Sequence, residues 1–470
     1  MSRSDGATKG VQVPQLISVT VEKLLGRFDH HITFDPTWEF VILHGPNGVG
    51  KTKLLELIYA VSSCRFGQVA MLPFVSAHFS YDDQSTVSLQ RVGQLSLPGV
   101  PQEDPGATEL HVRLTRAGAV LCEFPINHTT ALPPENQMRV IERELPVERL
   151  AIDLWHDHQT GDQVPTREII ERYKDLLPAN LVSNMEGIPP EYEAFARDTP
   201  VHLIETQRLL AARVTSPRRP VRELQPQMTV TRYSADLTER LRVALAENST
   251  TSQDLDRTFP RRVITAPKPK VTDGQIRDRY NQQGALRDRL ATVSLLDAAT
   301  ADLTLPDREL EDWERRVLWT YLDDTERKLA TFQPLLDRVQ LLQEIVNSRF
   351  LFKRLVIDRA RGFTFVTDDA GEIGPASLSS GEQHELVLGY DLLFNVAEGS
   401  MVLIDEPEIS LHVSWQQQFL NDLIKIANLQ KLRFVIATHS PQVIHKWWDR
   451  AEALYEDDTA PEAAAPPNAG

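Results

Sequence analysis

The chain has 470 residues, 41% of them apolar and 25% charged, a composition that excludes disordered, fibrous and membrane-embedded classes. Lys and Arg number 50 against 66 Asp and Glu, a net charge of −16, so the molecule as a whole repels nucleic acid and any such contact needs a local basic patch. Two cysteines, Cys64 and Cys122, are too few for a disulfide framework or a zinc cluster. No apolar run reaches the roughly 18 residues of a membrane span. The polar start with Pro14 lacks the apolar core of a secretory signal, so the expectation is a cytoplasmic protein without a membrane partner.

Strand-like alternation opens the chain at Leu16–Val21, His31–Phe34 and Glu39–Leu43. After Thr52 the apolar residues Leu54, Leu55, Ile58 and Val61 recur at helical spacing. From Ser76 to Pro125, short alternating runs between Pro-Gly turns predict antiparallel strands. Arg167–Leu177 reads as a helix and Val201–Ile204 as a further core strand. Residues 216–226 form a Pro- and Arg-bearing linker. Residues 235–350 are mainly helix-forming, with breaks expected near Pro260 to Pro269 and at Pro306 and Pro334, which argues for a short arm and against a long coiled coil. Strand character returns at Leu355–Ile357 and Phe363–Val366, and helix and strand alternate to Tyr455. Glu456–Gly470 has the composition of a disordered tail.

Gly45-Pro46-Asn47-Gly48-Val49-Gly50-Lys51-Thr52 satisfies G-x-x-x-x-G-K-[ST] between a predicted strand and a predicted helix. The glycines let successive N–H groups turn toward the β- and γ-phosphates of ATP, the helix aims its positive end at them, and Lys51 adds a point charge. Thr52 is positioned to ligate Mg²⁺. Near the other end, the apolar run Met401–Ile404 delivers Asp405 and Glu406. Asp405 suits Mg²⁺ through its water shell, and Glu406, on the other side of the pleat, suits activation of an attacking water.

Leu378-Ser379-Ser380-Gly381-Glu382-Gln383 opens a predicted helix and, read alone, is an ordinary Ser N-cap. Beside the P-loop and the acid pair it resembles the LSGGQ signature of ABC-type ATPases, with Ser380 in place of the first glycine and Glu382 in place of the glutamine, as in the SMC, RecF and OLD-like branch. The resemblance implies that Ser379 and the Gly381 N–H, within the segment Ser379 to Glu382, donate to a γ-phosphate held by another protomer. Phe434–Thr438 leads to His439, which is similar to the switch histidine of these families. Glu408-Ile409-Ser410-Leu411-His412 holds the place of the D-loop, which in the family crosses the dimer interface. Gln207 is the candidate glutamine-loop contact to Mg²⁺.

More than three hundred residues separate Lys51 from Ser379, far more than in transporter ATPases, whereas RecF- and OLD-like proteins insert strands and an arm there. Within that branch, Leu378–His384, Leu403–Leu411 and Ala437–Pro441 look most like stand-alone ATPases of anti-phage defence systems such as PARIS and Septu. The expectation is an α/β fold: an ABC-type head with a mixed P-loop sheet and an antiparallel β lobe (residues 1–215 and 351–455), an inserted helical region (216–350) and a tail (456–470). The resemblance implies a homodimer or higher homo-oligomer sandwiching Mg-ATP, and a separate nuclease or toxin subunit as effector. A RecF-type DNA clamp and a non-hydrolysing ATP-binding scaffold stay open as alternatives.

Two further clusters attract notice. Asp153, His156, Asp157, His158 and Asp162 are metal-ligand types, but neighbours in a polar segment point apart, so a solvated loop is expected. Arg208, Arg213, Arg218, Arg219 and Arg222, and then Arg257, Arg261, Arg262, Lys268 and Lys270, are basic runs where nucleic acid or an acidic partner would bind, or plain linker charge.

Overall fold

The computed structural model describes residues 13–92, 109–126, 135–151, 153–158, 162–173, 177, 187–204, 210–211, 227–297, 305–369, 371–410 and 413–454. The strands are β1 Leu16–Leu24, β2 Phe28–Thr33, β3 Phe40–His44, β4 Ser76–Tyr81, β5 Ser85–Val92, β6 Glu109–Arg116, β7 Ala119–Ile126, β8 Val147–Ala151, β9 Leu154–Asp157, β10 Gln163–Val164, β11 Val201–Ile204, β12 Leu210–Ala211, β13 Gln227–Met228, β14 Lys353–Asp358, β15 Gly362–Thr367, β16 Glu372–Ile373, β17 Met401–Asp405, β18 Arg433–Thr438 and β19 Ala451–Ala453. The chain divides into two compact units, one made of residues 1–206, 212–225 and 397–470, the other of 207–211 and 226–396.

In the first unit, β2-β1-β4-β5-β6-β7 form an antiparallel sheet. Its strands alternate buried and exposed residues, as Leu16, Val19 and Val21 do in β1, because only one face is covered. A second sheet, β11-β17-β18-β3-β19, is parallel throughout. Here the sequence runs apolar without alternation: Phe40–Leu43, Met401–Ile404 and Phe434–Ala437 are buried along their whole length, as a sheet covered on both faces requires. The three opening strands therefore divide between the sheets: β1 and β2 join the antiparallel lobe and β3 the parallel sheet. One apolar core joins both, with Val19 and Phe79 from one and Leu43, Leu403 and Val435 from the other. The helix Lys51–Ser62 contributes Leu54, Leu55, Ile58 and Val61 to it.

A satellite sheet, β10-β9-β8, closes over its own small core around Trp155 and Ile169. The stretch expected to be a solvated loop lies here. Asp157 is fully buried and accepts from Arg172 (2.7 Å) and Tyr173 (2.7 Å), while Asp153 accepts the Thr166 N–H at the start of the helix Thr166–Arg172. These acids serve local structure, and among the described residues no cluster of three metal-ligand side chains occurs.

The second unit holds the helices Thr229–Thr265, Asp273–Thr292, Asp312–Ala330 and Gln333–Asn347, the antiparallel sheet β14-β15-β16, the small pair β12-β13, and the helix Ser380–Tyr390. The break expected near Pro260 to Pro269 falls after Thr265, with the next helix starting at Asp273, and Pro260 itself lies inside the first helix. Thr258 donates to the carbonyls of Asp254 and Leu255, and Arg262 donates to Leu255, so side chains serve the turn preceding the ring. Pro334 lies in the first turn of its helix, where no N–H is missed. The expected domain boundary at 350/351 falls instead at 396/397. The reason is packing: Tyr390 stacks against Phe394 (4.5 Å), lies tilted against Tyr233 (4.8 Å) and meets Phe363 edge-on (5.4 Å), so the signature helix shares its core with the long helix and β15. Among the described residues, no helix is long and apolar enough to cross a membrane.

Candidate nucleotide site

Parallel register sets the site. Asp405 lies opposite Ala437, and Ala437 opposite Leu43, so β3, β17 and β18 all end at the same edge. From that edge emerge the P-loop, the acid pair and His439, the crevice where open parallel sheets bind ligands.

Gly48 and Gly50 have φ of 90° and 95°, the left-handed region that glycine enters without cost. A Cβ at Gly50 would also stand 3.2 Å from the Leu24 side chain. The helix Lys51–Ser62 has no side-chain cap, which leaves the N–H groups of its first turn to a ligand. Lys51 is 5% exposed, and its Nζ donates to the carbonyls of Gly45 (2.8 Å) and Pro46 (3.1 Å), curling the loop around its own cation. Beneath the loop, buried His30 on β2 places Nε2 3.0 Å from the Val49 carbonyl. Burial holds the His30 imidazole below its usual pKa, against the bond to Val49. The sequence carries no motif for this prop, because its partner is a backbone atom.

Thr52 Oγ1 donates to Asp405 Oδ2 at 2.8 Å. Burial raises the Asp405 carboxyl above its usual pKa, and the Thr52 bond opposes that. A hydroxyl and a carboxylate in contact are the hard oxygen donors Mg²⁺ takes from protein, with phosphate and water completing its shell, so Thr52 and Asp405 fit that ion. Gln207, the proposed third contact, lies outside the described residues.

Glu406 takes φ 46°, uncommon for a side-chain-bearing residue, and its N–H donates to the Ala437 carbonyl at 2.8 Å. His439 Nδ1 lies 3.6 Å from Glu406 Oε1 and 3.1 Å from Glu408 Oε1. Glu408 is 8% exposed and also accepts from Thr438 Oγ1 (2.6 Å) and from the His439 N–H (3.0 Å). In the D-loop segment, then, Glu408 turns inward to its own chain's histidine, whereas Ile409 is exposed. Leu411 and His412 lie outside the described residues. Its signal in the sequence was only a second acid two residues after Glu406.

In the second unit, Ser379 caps the helix Ser380–Tyr390 through a capping box. Ser379 Oγ and N–H both donate to Glu382 Oε2 at 2.8 Å, and Lys353 Nζ donates to both Glu382 oxygens at 2.8 and 2.7 Å. Burial pushes the Glu382 carboxyl up, but Lys353 and Ser379 outweigh it and leave its pKa below the usual value. The Ser379 hydroxyl, expected to donate to a phosphate, is thus engaged within its own turn. Gly381 stands open, with no atom within 4 Å of where a Cβ would be. One turn on, Glu385 forms a buried ion pair with Arg349.

The basic runs differ from expectation. Arg257 pairs with Asp254, Arg262 with Asp324 and Lys268 with Asp312, so acids of the neighbouring helix or the preceding turn neutralise much of the second run. Of the first run, Arg208, Arg213, Arg218, Arg219 and Arg222 lie outside the described residues.

Comparison with known proteins adds the following. Residues 220–445 match the family model described as "AAA domain, putative AbiEii toxin, Type IV TA system". The "Retron Ec83 probable ATPase" of Escherichia coli is 33% identical over 105 residues, 20% of this chain and 19% of that protein, so the chain spans about a fifth of the length of this curated relative. Two solved Smc head structures bound to parts of ScpA align over 92% of this chain and 91% of theirs. One, from Pyrococcus furiosus, has a TM-score of 0.32 at 12% identity; the other has 0.31 at 10%. The α/β reading rests on the sheets described above. The family match covers the segment that holds the signature-like turn, the acid pair and the histidine.

Proposed function

We propose that the protein binds ATP with Mg²⁺ and hydrolyses it by in-line attack of water, and that two copies close on two nucleotides. The observation that carries this reading is the 2.8 Å contact between Thr52 and Asp405, which joins the glycine loop and the acidic strand at the edge where His439 emerges. Lys51 and the N–H groups of the first helical turn hold the β- and γ-phosphates. Thr52 and Asp405 hold Mg²⁺, which when bound offsets the charge of the transferred phosphoryl group. Glu406 accepts a proton from the attacking water, and His439 donates to the γ-phosphate or orients that water. The N–H of Gly381, in the first turn of the signature-like helix, engages the γ-phosphate of the other copy. Because each site then needs a second chain, nucleotide binding and subunit closure strengthen one another.

In the biological reading we favour, this closure holds or releases a separate nuclease or toxin subunit in anti-phage defence. The retron relative and the neutralised second basic run support it over a DNA clamp. The test begins with Lys51→Ala, expected to lose ATP binding by at least about 100-fold, and Glu406→Gln, expected to bind ATP but turn over about 100-fold more slowly. Equal turnover in Glu406→Gln and wild type would remove Glu406 from its role. Each tagged variant is then purified from its host. A nuclease or toxin enriched with Glu406→Gln over Lys51→Ala supports the scaffold reading, whereas ATP-dependent, salt-sensitive DNA binding by the pure chain replaces it with the clamp.

A further inference from the structure

His439 stands between two carboxylates, and they are not equivalent. Glu406 Oε1 is 3.6 Å from Nδ1, beyond hydrogen-bond range, whereas Glu408 Oε1 is at 3.1 Å and is already fixed by two other donors, the Thr438 hydroxyl and the His439 N–H. That oxygen thus already serves as the acceptor for two donors of its own chain. An ionised carboxylate only accepts, so the contact places the imidazole proton on Nδ1. Glu408 is itself anchored, since Gln416 Nε2 donates to its carbonyl (3.3 Å) and Gln416 Oε1 accepts from Ser440 (3.1 Å), just past the histidine.

We propose that Glu408 is the positioning residue of His439: it clamps Nδ1 and the backbone of the histidine through one oxygen, so that Nε2 is the ring nitrogen left for phosphate or water. Glu406 is thereby released from holding the ring and stays available to water. The inference rests on the proposed role of His439 at the γ-phosphate and adds the group that sets its tautomer.

Two measurements on the full chain test it. In steady-state kinetics, Glu408→Gln is expected to lower kcat about 10- to 100-fold with the KM for ATP within about twofold, the size of effect seen when an orienting partner is lost. In a His439→Ala background the same substitution is expected to cost less than about a further twofold, because the two residues act as a unit. Independently of turnover, ¹⁵N NMR of the imidazoles, with His439 assigned by difference against His439→Ala, is expected to show the Nδ1–H tautomer in wild type and a mixture in Glu408→Gln. Fully additive kinetic losses, or an unchanged tautomer in Glu408→Gln, would overturn the proposal. Should the wild type hydrolyse no ATP, the reading of the previous section fails, and the NMR result alone decides on Glu408.

Discussion

Two lysines, one in each unit, sit in the glycine loop and beside the signature-like turn, and they are held differently. Lys51 rests on neutral carbonyls of its own loop, Gly45 and Pro46. Lys353 rests on both oxygens of a carboxylate, Glu382, which also closes the capping box of the signature helix. Both lysines are charged donors, but only Glu382 adds an opposite charge, so a phosphate would displace the carbonyls from Lys51 more readily than Glu382 from Lys353. The P-loop cation is exchangeable and the signature cation is committed. A Glu in place of the glutamine of an LSGGQ-type turn thus makes that turn self-sufficient before any nucleotide arrives.

Three substitutions probe this contrast, and the largest effect belongs to the committed side. Arg349→Ala strands the buried Glu385 carboxylate within the signature helix, and urea unfolding is expected to report about 3–5 kcal/mol of lost stability. A loss below about 1 kcal/mol would mean that the pair is not what fixes the helix. Ser379→Ala opens the capping box and is expected to cost about 1 kcal/mol by the same measurement. On the exchangeable side the prop under the loop is His30, whose folded pKa lies below its ordinary value. Its stabilising neutral form is present above the usual histidine range and is lost as pH falls through that range. Nucleotide affinity is expected to weaken as pH drops from 7 to 5 in wild type and to stay flatter in His30→Gln, whose amide still reaches the Val49 carbonyl. Identical pH curves would separate His30 from the loop.

The parts of the site legible in the sequence were those whose chemistry is local. The P-loop needs glycines and a lysine within eight residues, the acid pair follows an apolar run, and the signature carries its own cap. The missed parts are contacts over long chain separations. Nothing near His30 foretells the Val49 carbonyl, and nothing near Glu408 tells whether it faces a second copy or its own His439, thirty-one residues on. The sheet that β1 joins was not legible for the same reason, because its partner β4 lies beyond the P-loop helix. The bonds that Thr258 and Arg262 make to carbonyls of the turn before Pro260 are likewise not announced by any motif.

The placing of β3 between β18 and β19 has a consequence for how the protein is made. Both neighbours of this early strand leave the ribosome roughly 390 residues after it, a delay of about 20 to 80 seconds at ordinary elongation rates. Until then the nascent chain carries a glycine loop with no acidic strand beside it. A translation product cut short before β17 would expose Phe40–Leu43 to chaperones and proteases, because the strands that cover it have not yet been made.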